Sequence, residues 1–304
     1  MDLAPRPLPM DPAALAGLSE RLMRSHHENN YTGAVERLNA IRAELAQLAF
    51  ASVPGYVLNG LKREELIATN SMLLHELYFR CLGGSGKEMA PAMALALEAN
   101  FGSFERWREE FSAMGKALAG GSGWVLLTFQ PREGTLVNQW AADHTHAVAG
   151  GIPVLALDMY EHAYHLDYGA KAGTYVDAFM ANVAWSAVYE AYQHAVHAAS
   201  EPFAAAHDAV TGAVLLDVRR AGMYAQADSI IPGASWRDPA LVTQWAATVP
   251  RNKEVIVYCI YGHEVGRATA MRLRAQGLEA RFLSGGIDGW HKAGRPLAPK
   301  GGSA

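Results

Sequence analysis

The hydrophobic period changes twice along the chain, and each change narrows the folds open to it. Across residues 12–51, Leu15, Leu18 and Leu22, then Leu38, Ile41, Leu45 and Leu48, recur at spacings of three and four, the period of a helix with one buried face. Two helical stretches meet within residues 26–33, and further helical blocks are expected at 64–82 and 89–99 before Phe101-Gly102-Ser103 supplies a turn and a helix cap. After Gly120-Gly121-Ser122-Gly123 the runs WVLLTFQ, TLVNQWA and IPVLALD read as short strands of a small sheet. Helix returns over 175–199, and SEPFAAAHDAVTG, rich in small residues without a period, reads as a linker. Beyond it, AVLLDVR and EVIVYCI are β-branched-rich runs each followed by a helical stretch, the pattern of βα units on a parallel sheet. We therefore expect an α+β domain over residues 1–198, a linker over 199–209 and an α/β domain over 210–304, with the first dozen residues and the final KGGSA as mobile ends.

Length agrees, since 304 residues predict about two domains. Lys and Arg number 26 against 30 Asp and Glu, a net charge of −4, which argues against nucleic acid as a partner because phosphate binding needs a concentrated basic surface. No apolar run approaches the roughly 18–20 residues of a membrane helix, and MDLAPRPLPMDP lacks the pattern of a signal peptide, so a cytoplasmic protein without a membrane partner is expected. Cys81 and Cys259 are too few for a disulfide framework; Cys81, within helical YFRCL, reads as core.

The histidines carry the chemistry of the first domain. LALDMYEHAYHL ends an apolar strand with Asp158 and places His162 four residues on, so a helical turn puts a carboxylate and an imidazole on one face. Alone this is better explained by a capping Asp and a surface His. His75 in SMLLHELYFRCL is by itself more often a buried, hydrogen-bonded histidine than a ligand, and His26 in SHHENNY, with His27 adjacent, is as ambiguous. The combination is more specific. HELYFRCL, FGSFERWREEFSAMGKALAGGSGWVLL and LDMYEHAYHLDYG together resemble the iron/manganese superoxide dismutase family across roughly residues 13–198. The resemblance implies His26, His75, Asp158 and His162 as ligands of one iron or manganese per subunit, with superoxide as substrate; a gapless match of HHENNYTGAVERLNA puts the first ligand on His26 rather than His27. Three imidazoles and a carboxylate suit a first-row metal, and zinc would lack the redox couple. The resemblance also implies that His144 stands where the family often has a glutamine donating to metal-bound solvent, which favours iron, with His146 as a neighbouring alternative. Tyr160 and Phe79 take the places of family tryptophans, and Trp124 and Trp185 are candidates to complete an aromatic wall. Glu161 resembles a residue that reaches a partner subunit's ligand histidine, implying a homodimer, although a solvated helix-start glutamate would look the same. Two positions depart from the pattern: the gateway tyrosine aligns with Ala34 and its companion histidine with Asn30, leaving Tyr31 as a candidate phenol by another route.

In the second domain Cys259 ends the strand EVIVY and opens the loop CIYGHEVGRATAMRL, where a helix N-terminus can stabilise a thiolate. LLDVRRAGMYAQADSIIPGASW and GGIDGWHKAGRPL resemble the opening and closing motifs of rhodanese-like domains over about 210–298, which implies Cys259 as a persulfide carrier with a sulfur donor or acceptor as partner. Glu264 sits where many sulfurtransferases offer Ser, Thr or a basic residue, and is expected to repel thiosulfate and raise the thiol pKa, with His263 and Arg267 offsetting part of this. Asp217 reads as a fold anchor, and Arg219 as anchor or chemistry. The leading expectation is superoxide dismutation with an appended sulfur-transfer or redox-sensing domain. Its rivals are a sulfurtransferase acting through Cys259 with the metal domain as a dimerising scaffold, and a non-enzymatic metal or oxyanion sensor.

Overall fold

A computed structural model describes residues 2–300. The first domain opens with α1 (Glu20–Ser25), whose N-cap Ser19 accepts the Leu22 N–H, and runs directly through a π-helical turn, His26–Tyr31, into α2 (Thr32–Gln47). The wider turn is the kind of helix irregularity that occurs at functional sites, and here it buries His26 and Tyr31 together. α3 (Gly55–Arg80) returns antiparallel to α2, burying Leu74, His75, Tyr78 and Phe79 on one face. Pro91 starts α4 (Pro91–Phe101) at a position where its missing N–H costs nothing, and Gly102, at φ +89°, ends it. Ser103 then caps α5 (Phe104–Ala117).

The small sheet follows as expected: β1 (Trp124–Gln130), β2 (Thr135–Ala141) and β3 (Ile152–Asp158) pair antiparallel in the order β2-β1-β3. In the β1–β3 register Trp124 faces Asp158, so the sheet delivers both residues at the same end. A short α6 (His165–Tyr168) leads to α7 (Ala172–Ala181) and α8 (Trp185–Ser200). One helix was expected over 175–199; the chain instead breaks at 182–184. The Asn182 amide exchanges two hydrogen bonds with the backbone of Ala16, and Val183 bridges to Leu82, so tertiary pairing outcompetes helix continuation.

The second domain is a parallel sheet in the order β4-β9-β8-β5-β7, with β4 (Ala204–Ala205), β5 (Val214–Asp217), β7 (Ser235–Trp236), β8 (Val255–Tyr258) and β9 (Ala280–Leu283). β4 lies inside the segment expected as linker; two backbone pairings with β9 recruit it as an edge strand. Helices α9 (Ala221–Ala225), α10 (Val242–Trp245), α11 (Glu264–Ala275) and α12 (Gly286–Lys292) intervene, and a separate β6 (Ser229–Ile230) pairs with β10 (Ala298–Pro299). Two apolar clusters cover the two faces, as burial of a parallel sheet requires. A third, much larger cluster fills the first domain and takes in Ala268 and Met271 of α11, so the domains share packing.

The N-terminus is not a mobile end. Leu3 exchanges two hydrogen bonds with Asn39, and Arg6 binds the Tyr31 hydroxyl and the His27 ring, strapping the segment across α2. Of KGGSA, Lys300 is held by the backbone of Asp228, Tyr224 and Ala225, and residues 301–304 lie outside the described residues. Asp217 anchors the parallel sheet: buried, it accepts from the Arg219 guanidinium and from the Tyr258 hydroxyl. Arg219 also donates to Ser229 O, which assigns it to the same anchor. Asp217→Ala strands the buried guanidinium and should cost about 3–5 kcal/mol, read as an earlier denaturant midpoint for the second domain.

Candidate metal centre

Four side chains from three parts of the chain converge in the first domain. His26 comes from the π-helical turn, His75 from the middle of α3, Asp158 from the end of β3, and His162 from the single helical turn after it. Their candidate ligand atoms all lie within 4.8 Å of one another. The Nε2 atoms of His26 and His162 stand 3.1 Å from Asp158 Oδ2, and that of His75 stands 3.4 Å from it. His26, His75 and Asp158 are buried, while the His162 side chain is 25% exposed and is the one member that solvent reaches.

The donor set fits a cation. His75 Nδ1 lies 2.7 Å from Ser71 O one helical turn back, and the tautomer this bond selects turns the Nε2 lone pair towards Asp158. A lone pair facing a carboxylate oxygen at 3.4 Å repels unless positive charge stands between them. Burial pushes His26 down to about 3 against the pull of Asp158, so this imidazole is also neutral near pH 7. For Asp158, burial alone would raise the carboxyl, but His162, His26 and His75 together hold it well below the ordinary range. Its other oxygen accepts the Tyr160 N–H, and its backbone carbonyl accepts the buried Tyr175 hydroxyl.

An aromatic shell encloses the cluster. Phe79 lies 5.0 Å from His26 and Trp124 5.2 Å from His75, ring centre to ring centre. Tyr160 is stacked between His162 at 5.4 Å and His144 at 4.8 Å, the planes within 11°. Trp124 Nε1 donates to His144 Nδ1 at 3.0 Å, and burial pushes His144 down to about 4; a neutral ring accepting at Nδ1 carries its proton on Nε2. Asn70 steadies this segment by donating to His144 O.

Other residues singled out in the sequence lie elsewhere. His27 turns out to Arg6 O, and His146 accepts from Ala142 N beneath exposed Trp140. Trp185 packs with Phe104 and Trp107 in the core and is not part of the aromatic wall. The candidate phenol Tyr31 has its hydroxyl donating to Glu76 and accepting from Arg6 N, and its ring stands 6.2 Å from Phe79 and 5.1 Å from His27. Ala34 is buried beside it. Cys81 is core, its thiol pushed up to about 12 by burial. Ser71 was legible as an i−4 partner of His75, whereas Tyr175 and Asn70 carry no local signal.

The second domain places Cys259 at the end of β8, 6% exposed. The amides of Gly266, Gly262, His263 and Tyr261 turn towards its sulfur, but burial outweighs them and the thiol stays above its ordinary range. Glu264 does not face this sulfur as expected: its carboxylate is drawn to Tyr189 and Gln193 of α8.

Comparison with known proteins gives two family matches: "Iron/manganese superoxide dismutases, C-terminal domain" at residues 89–191, and "Rhodanese-like domain" at residues 203–293. A superoxide dismutase [Fe] of Cupriavidus metallidurans is 67% identical over 180 residues, 59% of this chain and 91% of the relative. A superoxide dismutase [Mn] 1 of Halobacterium salinarum is 35% identical and a superoxide dismutase [Fe] of Aquifex aeolicus 34%, each over 62% of this chain, covering 94% and 91% of the relative respectively. Asp158→Ala removes the only anion among the four converging side chains; bound iron or manganese, measured by elemental analysis of the purified chain, should fall to about a tenth or less of the parent.

Proposed function

Because the chain belongs to the iron/manganese superoxide dismutase family, with a rhodanese-like domain following, we propose that it dismutates superoxide at the four-residue centre, using iron. The observation that carries the reading is the convergence of three imidazole nitrogens on one buried carboxylate oxygen. His26, His75, Asp158 and His162 would hold the ion, whose one-electron couple lets one superoxide leave as dioxygen and a second, with two protons, leave as hydrogen peroxide. The protein's part is electrostatic and positional. Asp158 sets a fixed negative charge against which the bound ion is held, and Ser71 O orients His75. His144, its tautomer set by Trp124, offers an Nε2 proton to a group in the cavity, and the stacked Tyr160 holds it in place. Ala34 and Asn30 put neither phenol nor imidazole at the two gate positions, so proton supply rests on His144 and solvent reaching His162. Iron is favoured over manganese by His144 and by the name of the 67% identical relative.

The reading extends to a cytoplasmic homodimer with domains over about 1–198 and from about residue 203 onward. Glu161 is exposed beside the solvent-reached His162, where a second copy could meet both. Both cysteines are free thiols, as a reducing compartment keeps them, and no described helix is long and apolar enough to cross a membrane.

A second reading concerns the rhodanese-like domain, and the ring of amides around Cys259 supports it. There the thiolate would attack a sulfane sulfur; a new S–S bond forms on Cys259 while the donor's bond breaks and the donor leaves with the electron pair. The first reading is tested by superoxide consumption per bound metal atom, with iron and manganese loading measured separately. Turnover well above the spontaneous rate, lost in His75→Ala, is expected; stoichiometric metal without turnover would overturn it.

A further inference from the structure

The side chain that ought to spoil the cysteine loop is removed from it by the other domain. Glu264 is the first residue of α11, five residues after Cys259, and is 4% exposed. Both of its carboxylate oxygens are taken by α8: Tyr189 Oη donates at 2.6 Å to one, and Gln193 Nε2 at 3.2 Å to the other. These donors are spaced one helical turn apart, so a single face of α8 presents both.

A second tie lies beside the first. Arg267, one turn into α11, donates to Gly262 O inside the cysteine loop, to Ser200 Oγ at the end of α8 and to Glu201. Arg272 donates to Ala99 O of α4. The loop itself has little freedom: a Cβ at Gly262 would come within 2.7 Å of Gly285 N, and one at Gly286 within 2.5 Å of Cys259 O. One at Gly266 would stand 3.3 Å from the sulfur, so this glycine keeps the space beside it open. With loop and helix start fixed in this way, where the Glu264 carboxylate goes is decided by its partners on α8.

We infer that Tyr189 and Gln193 are positioning residues of the Cys259 loop: by holding the Glu264 carboxylate in the interface between domains, they keep negative charge away from the sulfur and leave the loop amides free to receive an anionic sulfur. The metal domain thus completes the sulfur site of its neighbour. The inference concerns the reactivity of the thiol and rests on the reading of Cys259 as a sulfur carrier only for its biological use.

The charged and titratable groups around the loop and Glu264 are His197, Tyr189 and Tyr192 from α8, Glu201 after it, Arg220 before α9, His263, Tyr261, Glu264, Arg267 and Arg272 from the loop and α11, and Asp288 and Lys292 from α12. Three of the cations are engaged before Glu264 is released: Arg267 is shared by Glu201, Lys292 by Asp288, and Arg272 donates to Ala99 O. His263 and His197 face each other at 5.9 Å, ring to ring.

The test is the pH–rate profile for alkylation of Cys259 by iodoacetamide in the full chain, followed by peptide mass spectrometry with buried Cys81 as the internal blank. In Tyr189→Phe combined with Gln193→Leu, the apparent thiol pKa should rise by about one unit, slowing alkylation near pH 7 by about tenfold. Adding Glu264→Gln to that background should restore the parent profile, and Tyr189→Phe alone, which deletes one hydroxyl, should give a smaller shift in the same direction. Metal content and superoxide consumption should stay at parent values throughout. A profile unmoved by the double substitution, a faster reaction at every pH, or a shift that Glu264→Gln fails to reverse would each overturn the inference. Absence of sulfur transfer in the parent would bear on the use of the thiol, not on this result.

Discussion

Everything in the first domain is arranged around one oxygen atom. Asp158 Oδ2 is buried and has three imidazole nitrogens within 3.4 Å, a cluster of donor atoms that a cation can draw together. To assemble it, the fold brings together a helix that changes pitch at His26, a long helix with His75 on its inner face, and a strand that ends at the depth of both. The aromatic shell follows from the same need. Phe79, Trp124 and Tyr160 keep the dielectric low around the carboxylate, and the indole N–H of Trp124 is spent on orienting His144.

α8 links that centre to the rest of the molecule. One face packs Trp185, Val188, Tyr192 and Val196 into the first core, and another offers Tyr189 and Gln193 to the second domain. The shared apolar cluster, with Ala268 and Met271 of α11 embedded in the first domain's core, means that neither domain keeps its full packing when separated. A short linker whose middle has become the edge strand β4 leaves little chain for independent motion.

The sequence revealed the parts whose signals are local. Helical spacing located α2 and most of α3, which begins at Gly55 rather than at 64, and apolar runs located the three strands; the D-x-x-x-H spacing paired Asp158 with His162, although a strand end and a separate short turn, not one helical turn, bring them together. What stayed hidden depends on partners distant in the chain. The break after α7 is made by Asn182 binding Ala16, 166 residues away. The N-terminal strap is held by Asn39 and Tyr31, so a segment without periodicity is nonetheless ordered. For the phenol of Tyr31 the sequence gives the distance from His27, but not the Glu76 carboxylate that engages its hydroxyl. Glu264 was read as an intruder in the cysteine loop for the same reason: its position in the loop is local, and its partners on α8 are not.

The buried charges between the domains show why that interface is a defined one rather than a tether. α11 carries Glu264 and Arg272 on the side it presents to the first domain, and both are nearly sealed from solvent. They do not pair with each other; each finds its hydrogen bonds across the boundary, Glu264 on α8 and Arg272 on the last turn of α4. The pocket they line measures only about 30 Å³, room for a water or two but not for the hydration shell of a charge. Burying a charge is costly unless its partners stand where it needs them, and two such charges on one helix, with partners on two others, are satisfied in very few relative placements of the domains. Apolar packing through Ala268 and Met271 supplies attraction between the domains; the two charges supply its geometry, and with it the distance at which a carboxylate is held from the sulfur of Cys259.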